Sequence, residues 1–232
     1  IEGNLVLRGS IDTLDVGGIM NGADIVMPGL RANHIRLTPV LTNVSKSVGG
    51  TMNLHSDTVS LSGVSFSRVG GDVSFGQGQD GSYSVLATEL NGPVIASVGG
   101  LKFTEDTAIV RVDSLSILLD SKRFTLDRPA SIRIEPSLVV VDTVVLTAGG
   151  DQRMTIAAHL PDSLPIAAKL VIQGIPLSDV STIAQSRIPL GGDLSGTLEM
   201  TGTRAQPRLN ASASLNSVTA GDVKVAQVAM TA

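Results

Sequence analysis

The 232-residue sequence predicts an all-β fold: a long, curled antiparallel sheet forming an open groove with a hydrophobic interior, accompanied by one short amphipathic helix. Three observations carry this expectation. Apolar and polar residues alternate along most of the chain, which puts every second side chain on one face of a pleated strand. Turn formers recur between these segments, among them six Gly-Gly pairs at Gly17-Gly18, Gly49-Gly50, Gly70-Gly71, Gly99-Gly100, Gly149-Gly150 and Gly191-Gly192, and glycine reaches the positive φ of tight hairpins. Hydrophobic residues make up 42% of the chain but aromatic residues only 2%, so the apolar content is aliphatic and lacks the rings that usually fill a two-sheet sandwich.

In chain order, the alternation predicts strands around Leu5/Leu7, Ile25/Met27, Met52/Leu54, Val59/Leu61, Val73/Phe75, Tyr83/Val85/Ala87, Leu101/Phe103 and Val110/Val112. The second half is cleaner, with Leu115/Ile117/Leu119, Phe124/Leu126, Ile132/Ile134, Leu138/Val140, Val144/Leu146, Met154/Ile156/Ala158/Leu160 and Ile166/Ala168/Leu170/Ile172. Strands resume at Leu194/Leu198/Met200 and Leu209/Ala211/Ala213/Leu215. One segment changes period: after Pro176, Leu177, Val180, Ile183 and Ala184 form a helical stripe, Ser178 is placed to cap it and Pro189 follows, which predicts a helix over about 178–187. Inside a run of strands such a helix covers the apolar face, plugs its mouth, or simply packs in a local core.

Roughly twenty strands about 4.8 Å apart would make a sheet on the order of 90 Å long, and open sheets beyond about ten strands curl, split or flatten. Curling leaves the apolar face lining a trough larger than the few hundred Å² that soluble monomers leave bare. Acyl chains suit such a wall, since each buried CH₂ contributes about 0.8 kcal/mol without directional demands. The candidate lining residues are Leu115, Ile117, Leu119, Ile132, Ile134, Leu138, Val140, Met154, Ile156, Leu170, Ile172, Leu198 and Met200. The expected occupants are therefore acyl chains.

Other classes find little support. A net charge of −4, no basic run and few aromatics argue against nucleic acid. The absence of cysteine excludes disulfides and thiol chemistry. No stretch approaches the 18 or so apolar residues of a membrane span. Gly76-Gln77-Gly78-Gln79-Asp80-Gly81 spells G-x-G-x-x-G, but Ser82–Ala87 continues as a strand where a dinucleotide site needs a helix, so a hairpin turn is expected. His34, His55 and His159 show no metal-ligand spacing. No nucleophile elbow occurs, and Glu105-Asp106 reads as a solvated connection and not a carboxylate dyad. The expectation is a protein that is not an enzyme and carries no cofactor or metal.

An internal echo relates Gly3–Ser10 to Gly196–Thr203 as G-x-L-x-φ-x-G-[ST], 193 residues apart. The chain thus reads as roughly one long repeat plus the start of the next, and both termini read as cut from a longer chain. A sub-boundary falls near 99–114.

Three stretches carry a family resemblance: Phe124-Thr125-Leu126-Asp127-Arg128-Pro129; Leu170 to Val180 with Ile175-Pro176-Leu177-Ser178-Asp179-Val180; and Gly196 to Leu209, the most specific of the three. With these the chain resembles the TamB family, the inner-membrane component of the translocation and assembly module, and the wider AsmA-like group of bridge-like lipid-transfer proteins. Phe124 stands where that family often has Trp, and the amino-terminal half is less similar. The resemblance implies a periplasmic β-taco with a hydrophobic groove, held at the inner membrane by an anchor outside this sequence and reaching a BamA-like barrel protein of the outer membrane. Its implied work is passive: phospholipid transport to the outer membrane and assembly or secretion of proteins there, including autotransporters. A closed β-solenoid or secreted passenger with an adhesive or structural role is the alternative.

Overall fold

The protein is described here by a computed structural model that covers all residues except 1, 11, 28–29, 62–63, 77–79, 90–91, 120–121, 184–189, 221–222 and 232. The described residues form eighteen strands, paired antiparallel, and one short helix. The predicted all-β antiparallel class with a single short helix is therefore what is found. Two compact units divide between Glu105 and Asp106.

The first unit contains β1 (Glu2–Arg8), β2 (Asp15–Met27), β3 (Leu30–Thr42), β4 (Gly49–Ser56), β5 (Val59–Leu61), β6 (Val64–Phe66), β7 (Arg68–Phe75), β8 (Asp80–Thr88) and β9 (Val94–Phe103). These nine strands fill seven places in a meander. β4 and β5 both lie along β3 in one continuous register, running from Thr42 opposite Gly49 to Leu30 opposite Leu61. Asn33 N and Asp57 N carry the ladder across the gap through Thr58 O and His34 O, at 2.9 and 3.3 Å. β6 and β7 likewise form one interrupted strand along β5 and β4.

The second unit contains β10 (Ala108–Leu119), β11 (Lys122–Leu126), β12 (Ala130–Glu135), β13 (Leu138–Thr147), β14 (Arg153–Pro161), β15 (Ala167–Pro176), helix α1 (Leu177–Ile183), β16 (Leu190–Thr203), β17 (Gln206–Ala220) and β18 (Val223–Thr231). β11 and β12 are again one strand in two pieces, set between β10 and β13 and broken around Arg128-Pro129, where proline has no N–H to donate. Every ladder in both units joins neighbours antiparallel, whereas solenoid coils stack in parallel.

Helix α1 starts at Leu177, one residue before the expected cap. Ser178 therefore lies in the first turn, where Ser181 Oγ donates to its carbonyl at 2.7 Å, and Asp179 complements the positive end of the helix. The remainder of the expected helix, including Ala184, and Pro189 lie outside the described residues.

The Gly-Gly pairs correct the sequence reading. Only Gly149-Gly150 lies in a turn; the other five sit within β2, β4, β7, β9 and β16. At Gly18 and Gly50 the backbone takes φ of +144° and +110°, and a Cβ at either place would fall 2.0 Å from a carbonyl oxygen of the neighbouring strand. Glycine permits a local kink and close strand approach there, as at bulges. The G-x-G-x-x-G stretch connects β7 to β8, with Gly76 N bonded to Asp80 O at 2.9 Å. Residues 77–79 lie outside the described set, and β8 follows as the strand expected.

Candidate functional site

Directly opposed residues in an antiparallel ladder project from the same face, so the pairing registers trace which side chains share a surface. In the second unit the trace starts on β14, whose pairing with β15 is regular. Met154 opposes Leu146 and Ile172, Ile156 opposes Val144 and Leu170, and Ala158 opposes Val141 and Ala168. On one side the surface continues through Leu170 to Leu198 and Ala211, and through Ala168 to Met200 and Leu209. From there Leu215 opposes Val228 and Ala213 opposes Met230 on β18. On the other side Val141 leads to Ile132 and Val110, and Leu146 to Leu126, whose strand neighbour Phe124 faces Ile117. A single apolar face thus runs across every strand of the unit.

Bulges keep that face apolar. β13 inserts a step at Asp142-Thr143, both exposed, and β15 inserts one at Gln173-Gly174. Gly174 adopts φ +57° and donates its N–H to Ser195 Oγ at 3.0 Å. Each step adds one residue and reverses the parity of the alternation.

That reversal relocates two of the predicted lining residues. Leu115, Ile117, Leu119, Ile132, Ile134, Met154, Ile156, Leu170, Ile172, Leu198 and Met200 share the apolar face, but Leu138 opposes Glu135 and Pro161, and Val140 opposes Arg133 and His159. Both point to the opposite side, and Val139 and Val141 take the places predicted for them. Simple alternation read back from Val144 does not see the Asp142-Thr143 step.

At one end this face is covered. Leu119 and Phe124 are fully buried with Leu146 and Ile175, and Leu115, Ile117, Met154, Ile172 and Val180 of α1 pack around them. Helix α1 lies against β15, β16 and also β10, with Leu177 6% exposed. Away from α1 the same face is open: Ile134, Ile156 and Leu198 are 43%, 39% and 37% exposed, and Leu209 and Met230 reach 61% and 60%. Every exposed large aliphatic side chain on the unit's strands belongs to this face.

The reverse face is polar and bears three exposed ion pairs: Arg111 to Asp113 at 2.7 Å, Arg133 to Glu135 at 3.1 Å and Lys169 to Glu199 at 2.8 Å. The hydrogen bond and charge of Asp113 hold the Arg111 guanidinium above its ordinary pKa. Pairs this exposed add little stability in water; their consequence is a charged face opposite an aliphatic one. A cleft of about 480 Å³ is lined by Val140, His159, Ala157, Lys169 and Glu199 of this side together with Val141, Ala158, Ala168 and Met200 of the apolar rows.

The first unit segregates its faces less sharply. Leu5, Leu7 and Val85 are exposed, but so are Val6, Val40 and Leu86 at alternate positions on the same strands or their partners. A cleft of about 410 Å³ gathers His34, Arg36, His55 and Asp57, with His55 Nε2 3.1 Å from Asp57 Oδ1. The linear spacing of the two histidines gave no sign of this; cross-strand pairing creates the proximity. Among the described residues no group of three or more His, Asp or Glu side chains is arranged to hold a metal ion, and no helix is long and apolar enough to cross a membrane. Glu105 and Asp106 are exposed in the connection between β9 and β10. Comparisons of the chain with protein-family models, with curated proteins and with solved structures find no match.

Proposed function

We propose that the apolar face of the second unit is an acyl-chain-binding wall, and that the protein is a segment of a periplasmic scaffold that carries phospholipid toward the outer membrane and assists protein assembly or secretion there. A single observation supports this reading: an apolar surface crosses the whole unit, kept in phase by bulges, yet its central residues remain two-fifths exposed. Burying an aliphatic side chain is worth about 1.5–3 kcal/mol, so a row of them left half-wet favours any flexible apolar ligand that can lie along it. The aliphatic lining suits saturated or unsaturated chains alike, and the polar reverse face keeps the protein hydrated. The work is transport, with no bond made or broken, no cofactor and no catalytic residue. A BamA-like outer-membrane barrel and an inner-membrane anchor belong to the same proposal through the family resemblance.

Native mass spectrometry of protein purified in minimal detergent, followed by lipid extraction, tests it. Phospholipid should travel with the wild type, fall at least several-fold in Ile156→Asp, and persist in His159→Ala, which alters the polar face. Lipid-free wild type, or equal lipid in both variants, rejects the wall.

A further inference from the structure

We infer that helix α1 is a displaceable plug, occupying the part of the apolar face that an acyl chain would otherwise take. The inference rests on the acyl-binding reading above and adds its regulation. Val180 of α1 packs against the cluster of Leu119, Phe124, Leu146 and Ile175, on the same face that lies open at Ile156 and Leu198. A chain lying along the open part meets α1 where the face becomes covered.

The construction favours release. The described part of the helix, Leu177–Ile183, draws its stability from the surface it packs on, as short helices do. Its attachment is flanked by two glycines with positive φ, Gly174 on β15 at +57° and Gly192 on β16 at +105°, next to irregular steps in the ladders on either side. The ladders thus step at glycines before and after the helix, while the strands beyond them are held in continuous register.

The sequence contains no cysteine, so a lone thiol introduced by Val180→Cys in the full chain reports on the helix. Its maleimide alkylation should be slow without lipid and several-fold faster once phosphatidylglycerol is bound, with the rate at an exposed control, Thr203→Cys, unchanged. A second variant, Val180→Asp, weakens the helix's apolar hold and should raise phosphatidylglycerol occupancy about threefold. Lipid bound with no change in thiol protection, or no gain in a Val180→Asp protein with wild-type circular dichroism, overturns the plug alone. Failure of wild type and Val180→Asp alike to bind lipid overturns the acyl-binding wall together with it.

Discussion

An alanine methyl at Gly50 would sit 2.0 Å from the Val40 carbonyl oxygen, on a backbone with φ of +110°, whereas one at Gly70 would meet nothing within 4 Å. In sequence the two are alike, each the member of a Gly-Gly pair between polar and aliphatic neighbours. Their difference is a property of the cross-strand partner. Gly50→Ala should therefore cost at least about 1–2 kcal/mol, since it combines a disfavoured φ with a backbone clash. Gly70→Ala should be neutral or stabilise by up to about 1 kcal/mol, because it removes freedom from the unfolded chain without straining the folded one. Urea unfolding of both variants decides this. A larger loss at Gly70 than at Gly50 would contradict the placement of the first unit's ladders.

Within β13, neighbouring valines belong to opposite worlds: Val141 faces Ala158 and Ile132 on the apolar side, while Val140 faces His159 and Arg133 on the polar side. Val141→Asp should accordingly strip bound lipid several-fold, and Val140→Asp should leave it close to the wild-type level, both read by extraction from purified protein. The same strand shows where sequence reasoning reaches its end. Existence and type of the strands were legible because alternation is a direct imprint of the pleat, and the helix was legible from its change of period at Leu177 and Val180. Eleven of the thirteen predicted lining residues share one face for that reason. Leu138 and Val140 do not, because a bulge leaves no strong mark: Asp142-Thr143 looks like two polar residues in a row, and only the partner strand shows that one of them is extra. The strand glycines misled in the same way, since a residue able to turn is also able to let two backbones touch.

For the molecule as a whole, the repeat seen faintly in sequence is far more complete in backbone register. Gly3 pairs with Met20 and Gly196 with Ala213; Met27 pairs with Leu30 and Ala220 with Val223. Each second member of the comparison lies 193 positions after the first. Gly9 and Gly202, equivalent under that offset, take φ of +104° and +91°. Asp24 and Ser217, equally spaced, are two of the three described non-glycine residues with positive φ, at +51° and +53°. Side chains in this stretch have diverged, with Gly22 against Leu215 and Ala23 against Asn216, so the repeat survives as strand length, hairpin register and one left-handed residue. The hairpin register of β1 to β3 thus recurs from β16 onward, with helix α1 preceding β16 in the chain. Equivalent left-handed positions must resist a β-branched residue alike. Asp24→Val and Ser217→Val should each cost about 1–2 kcal/mol, the penalty for placing such a side chain in that region, while Asp24→Gly and Ser217→Gly should not. Denaturant unfolding of the four variants provides the check. Matching penalties would tie the two hairpins to one inherited backbone design, whereas a penalty at Asp24 alone would show that β17 merely shares the spacing of β2 and confine the repeat to the Gly3–Ser10 echo.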